Sequence, residues 1–276
     1  MADFHDDFIY EKYEEIWPED AYQEKAEEDI KKLYESDRKS VYYARQIWVK
    51  LEKKYYHWIT SRAVKYLNDI GYLKLIIRER KEGAHINFYY HHSNRYPIRK
   101  IKKMEKIINE YSHEHINRSC GQQAENLFCL GLIKRNFKVI AEKAREFKGK
   151  KWKKTEHDFD FIFERDGIYY GCKIKNKFGY IDKDELDIKI KICEFFKIRP
   201  LFIMRHAPKT WIKEVYRKKG YSLIFETKIF EMSQIELVEK IKNNLGMPVI
   251  CSRAIPEGMI TRFENWHKRQ INVNSK

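Results

Sequence analysis

The sequence lacks the features that mark membrane-spanning, secreted and disulfide-stapled proteins. No apolar run approaches the ~20 residues that a transmembrane helix needs. The opening residues, Met-Ala-Asp-Phe-His-Asp-Asp, have neither the basic start nor the apolar core of a signal peptide. The five cysteines are an odd number, widely spaced and without a CxxC pair. These absences predict a cytoplasmic (intracellular) protein with reduced thiols and no membrane partner.

Metal-binding spacings are also missing among the histidines. His91-His92 and His113-x-His115 are close pairs, but neither has further ligands at a spacing typical of zinc sites. We expect these histidines to be exposed polar residues. Cys172 lies in an apolar stretch and is expected to be a small buried side chain.

Acidic residues are fewer than basic ones, 41 against 56, and the formal net charge is +15. The imbalance is uneven: residues 1–40 hold 14 acidic and 6 basic residues, so residues 41–276 hold 27 and 50, a net charge of +23. This surplus predicts a polyanionic partner, and nucleic acid is the interpretation that we favour. A lysine-rich composition also occurs in proteins from hot sources, but there glutamate rises together with lysine.

The first half of the chain is predicted to be helical, with one basic hairpin. Residues 1–40 read as an acidic helical segment whose acids meet solvent. Ser40 is expected to cap a helix that begins at Val41, and Gly71 to end the next helix in a left-handed conformation. Two strands should follow, over 73–80 and 85–90.

This order of elements resembles the winged helix-turn-helix modules of DNA-binding proteins, within residues 41–96. The resemblance implies that Thr60–Asp69 is the recognition helix and that the hairpin is the wing. The side chains expected to contact DNA are then Ser61, Arg62 and Lys65 in the major groove, and Arg78, Arg80 and Lys81 at the backbone. The alternative is a winged-helix module that binds protein, with these charges only solvated.

From residue 97 the pattern changes. Residues 97–118 are predicted to form a basic connecting helix, and from Ser119 helices and strands alternate. Residues 119–230 therefore read as an α/β domain. Residues 231–276 are predicted to form a C-terminal helical extension, with a helix over 232–245 and an irregular tail that contains proline.

Asp158–Lys177 is the most informative stretch of the chain. An apolar strand that begins with acids leads into Asp166-Gly167, and the returning strand ends in lysines. Asp-Gly between two alternating runs predicts a tight β-hairpin. Because side chains alternate along a strand, Asp158 and Asp160 share one face of theirs. The lysines that share one face of the returning strand are Lys173, Lys175 and Lys177.

The order helix, three strands, helix, strand, with an acid on the middle strand and a lysine on the third, resembles the PD-(D/E)XK nuclease superfamily. Within it, the chain is most similar to archaeal Holliday junction resolvases and restriction-endonuclease-like enzymes, over about residues 119–226. The signature would be Glu125, Asp160 and Gly171–Asn176, in which Lys175 aligns with the motif lysine. The resemblance implies an α/β fold with a mixed sheet flanked by helices.

The resemblance also implies hydrolysis of DNA phosphodiesters with Mg²⁺ or Mn²⁺ as cofactor. Asp160 would be the central metal ligand and Glu125 an auxiliary one, with Asp158 as a possible helper. Lys175 would stabilise the negative transition state, and Lys177 would contact DNA. A homodimer would be natural, since two nicks on opposite strands require two active sites.

One departure from the family pattern is serious, because Lys173 stands where the family places its second acid. Two like unit charges 4 Å apart repel by ~4 kcal/mol at an effective dielectric near 20, and a divalent ion roughly doubles this. Glu125 or Asp158 could supply the missing ligand; the chain could be an inactive relative whose lysines bind phosphate; or the sequence could be an altered form of an enzyme with an acid at 173.

Two functional predictions follow from these alternatives. The first is a DNA-binding, metal-dependent endonuclease of the junction resolvase, repair or restriction type. The second is a catalytically inactive DNA-binding or assembly subunit. RNA processing fits the basic charge, but the sequence lacks the signature of an RNA-binding module.

Overall fold

The computed structural model describes residues 21–80 and 84–274, which fall into two compact units. Unit 1 comprises Met1–Ile116 and Glu239–Met247, and unit 2 comprises Asn117–Val238 and Pro248–Lys276. Both units combine sheets with flanking helices, so the predicted α/β class with a mixed sheet is confirmed. Within the described ranges, no helix combines the length and apolar character needed to cross a membrane.

Unit 1 contains a three-stranded antiparallel sheet with the order β1-β3-β2. The predicted sequence of two helices and a basic hairpin is observed. Its elements are α1 (Ala21–Glu35), β1 (Val41–Tyr43), α2 (Ala44–Leu51), α3 (His57–Asp69), β2 (Leu73–Glu79), β3 (His85–His91) and α4 (Ile98–Tyr111).

Helix α1 shares a core with α2 and α3. Ile30 and Tyr34 of α1 are buried in one apolar cluster with Ile47 of α2 and Leu67 of α3. The Tyr34 hydroxyl donates a hydrogen bond of 3.1 Å to the carbonyl of Tyr89 on β3. Residues 21–35 therefore form part of the packed body of unit 1.

The prediction that Ser40 caps a helix beginning at Val41 is wrong. Val41–Tyr43 pair with β3 as a strand, and helix α2 begins at Ala44. The Ser40 hydroxyl instead donates a 2.8 Å hydrogen bond to Asp37 Oδ2. Val-Tyr-Tyr suits a half-buried sheet surface better than a helix turn. The end of α3 is as predicted, with Gly71 at φ +77°.

Unit 2 is built on a five-stranded mixed sheet with the order β10-β9-β8-β7-β4. Strand β7 runs antiparallel to β4 and β8, whereas β8, β9 and β10 are parallel. The elements of this part of the chain are α5 (Glu114–Ile133), β4 (Lys138–Ala144), β5 (Glu146–Phe147), β6 (Lys150–Lys151), β7 (Phe159–Arg165), β8 (Ile168–Lys175), α6 (Lys183–Phe196), β9 (Arg199–Met204), α7 (Lys209–Arg217), β10 (Tyr221–Ile224), β11 (Lys228–Phe230), α8 (Ile235–Leu245), β12 (Val249–Cys251) and α9 (Glu257–Asn274).

The predicted hairpin is confirmed as β7 and β8. Asp166 and Gly167 have φ angles of 53° and 74°, and positive values at both positions are typical of a type I′ turn. Phe161 pairs with Cys172, which is fully buried as predicted. A Cβ atom on Gly171 would lie 2.7 Å from the Phe159 ring, so only glycine fits there without movement of the core.

Two sets of helices pack against the sheet of unit 2. Phe163 of β7 and Ile203 of β9 are buried in one cluster with α5 and α9. Ile162 of β7 is buried in a second cluster with α6, and Phe202 of β9 in a third with α6 and α7. This alternation along each strand is the period of two expected for a sheet covered on both faces.

The expectation of an irregular tail is also wrong, because Glu257–Asn274 form helix α9. His267 of this helix is fully buried between Tyr170 and Asp166 of the hairpin. Its Nδ1 lies 2.7 Å from the Tyr170 hydroxyl and its Nε2 lies 2.9 Å from Asp166 Oδ2. Burial lowers the pKa of His267. A neutral ring that accepts from Tyr170 and donates to Asp166 satisfies both contacts.

Candidate functional site

Asp160 and Lys173, one on each strand of the hairpin, form a buried ion pair. Lys173 Nζ lies 2.5 Å from Asp160 Oδ1, and the backbone N–H of Ile174 donates a 2.6 Å hydrogen bond to Asp160 Oδ2. Only 15% of the Lys173 side chain and 9% of the Asp160 side chain are exposed. Burial opposes the charge on Lys173, but the Asp160 carboxylate outweighs it and raises the pKa of Lys173. Both oxygens of Asp160 are therefore engaged within the protein.

Lys175, the predicted catalytic lysine, pairs with an acid that sequence reasoning missed. Its ammonium lies 2.9 Å from Glu185 Oε2, on the first turn of α6. Burial alone would raise the pKa of Glu185, but Lys175 and then Lys173 act against it and lower this pKa. Lys175 therefore belongs to the same charged cluster as Lys173.

A third lysine of the cluster, Lys189 on α6, was also missed. Its side chain is 2% exposed, and its ammonium lies 3.7 Å from Asp158 Oδ1 and 5.6 Å from the centroid of the Phe159 ring. Burial, followed by the charge of Lys173, lowers the pKa of Lys189 to about 8. The sequence feature that could have identified Lys189 is its position beside Ile190 on the apolar face of a predicted helix.

Glu125, the predicted auxiliary ligand, lies on α5 and is half-buried near this cluster. Burial, and then the negative charge of Asp160, raises the pKa of Glu125; Lys173 and Lys143 act in the opposite direction. Within the described residues the Glu125 carboxylate has no hydrogen bond or ion pair. Glu125 thus lies near Asp160 and Lys173, and Lys175 shares its neighbour Glu185 with Lys173. Their joint role as a site stays a prediction.

The residues of this cluster, as they are placed, do not fit a Mg²⁺ or Mn²⁺ ion. These ions prefer several carboxylate and carbonyl oxygens. In the part of the chain that the structure describes, no group of three or more His, Cys, Asp or Glu side chains is arranged to hold a metal ion. The oxygens of Asp160 are already engaged, and Lys173 adds a repelling charge. The cofactor therefore stays a prediction.

The predicted DNA-contacting residues of unit 1 that the structure describes lie on α3, on β2 and directly after β2. Lys65 is exposed, whereas Ser61 donates a 2.9 Å hydrogen bond to the carbonyl of His57 in its own helix. Arg62 is half-buried, and its Nε has no hydrogen-bond partner among the described residues. Arg78 Nε lies 3.8 Å from Glu105.

Of the remaining predicted contacts, Arg80 and Lys177 lie just beyond the ends of strands. Arg80 follows β2 directly and is half-buried, and Lys81 lies outside the described residues. Lys177 of unit 2 comes two residues after β8, where its carbonyl accepts a 3.0 Å hydrogen bond from Arg205 Nε. Its role in DNA binding stays a prediction.

Comparisons of this chain with protein-family models, with curated proteins and with solved structures found no match. The nuclease and winged-helix resemblances are therefore carried by the residues of this chain alone.

Lys189→Met is expected to raise the unfolding free energy at pH 7 by about 3 kcal/mol, since each pKa unit is worth about 1.4 kcal/mol. Burial lowers the pKa of Lys189 from 10.5 to about 8, so the folded protein binds this proton less tightly than the unfolded chain. Wild-type stability should therefore rise with pH between 8 and 10.5, and the variant should lose that rise. Urea unfolding across this pH range measures both effects.

The matched control for this prediction is Lys191→Met, which changes an exposed lysine of the same helix. Its effect on stability should stay within about 0.5 kcal/mol. A Lys189→Met protein less stable than wild type at pH 7 would contradict the prediction.

Proposed function

We propose that the protein binds DNA, and that unit 2 is a restriction-endonuclease-like domain that does not hydrolyse DNA in its present sequence. The element order of unit 2 supports the fold assignment. Helix α5 is followed by the sheet strands β4, β7 and β8, then by α6 and β9, which is the order on which the resemblance depends. Asp160 lies on the middle one of these three strands and Lys175 on the third.

The ion pair between Asp160 and Lys173 carries the proposal of an inactive site. A cation bound to Asp160 would have to displace the Lys173 ammonium and leave it buried without a partner. Breaking a buried pair in this way costs about 3–5 kcal/mol. The pairs Asp160–Lys173, Glu185–Lys175 and Asp158–Lys189 are each neutral, so they demand no cation.

Support for DNA as partner comes from charge and from unit 1. Residues 41–276 carry the net surplus of 23 positive charges, which favours a polyanion. In unit 1, α3 precedes an antiparallel hairpin and exposes Lys65, as expected of a recognition helix followed by a wing. The alternative use of this module is contact with another protein.

A second candidate function, metal-dependent DNA cleavage, is favoured by Glu125. Its carboxylate has no ion-pair partner in the described ranges, and burial and Asp160 raise its pKa. A perturbed acid close to another acid is a feature of many catalytic sites. In this candidate function, Glu125 or Asp158 supplies the ligand that Lys173 replaces.

The test combines DNA binding with a cleavage assay. The wild-type protein should bind duplex or four-way junction DNA and should cut none of duplex, flap, junction or single-stranded DNA with Mg²⁺ or Mn²⁺. Lys65→Gln combined with Arg62→Gln should weaken binding about tenfold and lower the salt slope by about 2. Equal changes in exposed Lys25 and Lys32 of α1 should have little effect.

Three outcomes would overturn this proposal. Cleavage by the wild type that depends on Mg²⁺ or Mn²⁺ would establish the second candidate function. Absence of binding to any DNA would remove DNA as the partner. Tighter binding of a structured RNA at matched salt would indicate an RNA-binding protein.

A further inference from the structure

We propose that unit 2 has a second surface for the DNA backbone, on the segment Glu146–Lys154, which we call the lysine hairpin. This inference rests on the proposed function, since DNA is the polyanion that it assigns. The lysine hairpin comprises β5, β6, the two residues between them and the three residues after β6. Residues 147–155 contain no acid. Its exposed lysines are Lys148, Lys150, Lys151, Lys153 and Lys154.

The tip of the lysine hairpin has a defined geometry. Glu146 pairs with Lys151 and Phe147 with Lys150. Between them, Lys148 and Gly149 have φ angles of 47° and 76°, as in a type I′ two-residue turn. The backbone that carries these lysines therefore forms a tight hairpin rather than an open loop.

Two aromatic side chains anchor the lysine hairpin to the core of unit 2. Phe147 and Trp152 are each 7% exposed and belong to one apolar cluster with Phe196 of α6. The Trp152 backbone N–H donates a 2.9 Å hydrogen bond to the Arg145 carbonyl, and its indole N–H donates one of 2.9 Å to Thr155. Because these two aromatic side chains are buried in the core, the exposed lysines lie on the outer surface of unit 2.

The charges of these lysines are not neutralised within the described residues, where none of the five forms an ion pair. By contrast, the adjacent Arg145 is paired with Glu156. Lys148 lies 4.0 Å from the Tyr169 ring centroid and Lys150 lies 6.0 Å from that of Phe195. Such cation–π contacts orient an ammonium and leave its charge in place.

Ammonium groups on a rigid hairpin match phosphate oxygens, which they contact as point charges without reading sequence. Phe195, over whose ring Lys150 lies, is a large apolar side chain that is 41% exposed to solvent. Sequence-tolerant binding of single strands uses several aromatic stacking platforms. The arrangement therefore favours the phosphate backbone of duplex DNA over bases of a single strand.

The experiment compares two variants of the full chain that lose the same charge. In the test variant Lys148, Lys150 and Lys151 become glutamine; in the control Lys209, Lys213 and Arg217 of α7, all exposed, become glutamine. Anisotropy of a fluorescent duplex across a sodium chloride series gives the slope of log affinity against log salt. The magnitude of this slope should fall by about 2 to 3 in the test variant and by less than about 1 in the control.

The outcomes separate this inference from the proposed function. Wild-type binding with an unchanged slope in the test variant, or an equal loss in the control, overturns the lysine hairpin as a DNA surface and leaves the proposed function standing. No wild-type binding to DNA overturns both, and an acidic protein then becomes the partner class. Melting temperatures of both variants should match wild type, since exposed substitutions change stability by about 0.5 kcal/mol or less.

Discussion

Asp160→Ala is expected to reduce the unfolding free energy by about 3–5 kcal/mol. The substitution leaves the Lys173 ammonium, whose side chain is 15% exposed, without its partner at 2.5 Å. It also removes the acceptor of the Ile174 N–H. Because the pKa of Lys173 is raised above 10.5, the contribution of its positive charge is complete at neutral pH and is lost as pH rises through the raised value. Urea unfolding at pH 7 measures the loss.

Two further variants test the cause of this destabilisation. Asp160→Ala combined with Lys173→Met removes both charges, and most of the lost stability should return. Asp187→Ala breaks the more exposed pair with Lys183 on α6 and should cost less than about 1 kcal/mol. Equal losses for Asp160→Ala and Asp187→Ala would show that burial of the pair is not what makes it strong.

Local signals made the hairpin and its ion pair predictable. Asp166-Gly167 specifies the turn, and the antiparallel pairing then places Asp160 opposite Lys173 without any tertiary information. Glu185 and Lys189 are different, because they reach the cluster from α6. The packing of its apolar residues decides which face of a helix meets a sheet. A lone lysine among those residues does not indicate which acid it will pair with.

The predictions for 41–43, for the tail and for a single helix over 97–118 are wrong; the last segment is divided between α4, which ends at Tyr111, and α5, which begins at Glu114. The first two errors have a similar origin. Val41 has the helical spacing of the apolar residues that follow it, but Val41–Tyr43 pair with β3 and form a strand. The tail predicted to be irregular contains Pro256, but the residues after it form a helix whose Phe263 and Trp266 pack against the sheet. In both segments, contacts with residues distant in sequence outweighed local propensity.

Lys173→Glu is expected to convert the site into one that binds a divalent cation. Without metal, the introduced carboxylate beside Asp160 should destabilise unit 2, since like charges 4 Å apart repel by ~4 kcal/mol at a dielectric near 20. Mn²⁺ at 100 times its dissociation constant should then stabilise the variant by about 2.7 kcal/mol. The wild-type melting temperature should not respond to Mn²⁺, because Lys173 keeps the oxygen of Asp160 engaged.

The same variant should acquire nicking of supercoiled DNA, about 10³-fold or more above the wild type, a small part of the acceleration that enzymes reach. Lys173→Met is the control, since it removes the ammonium without adding an oxygen ligand. A Mn²⁺ response in Lys173→Met equal to that in Lys173→Glu would mean that loss of the positive charge suffices and that Glu125 and Asp158 complete the site. No response in Lys173→Glu would mean that the lysine at position 173 is not what prevents metal binding at this site.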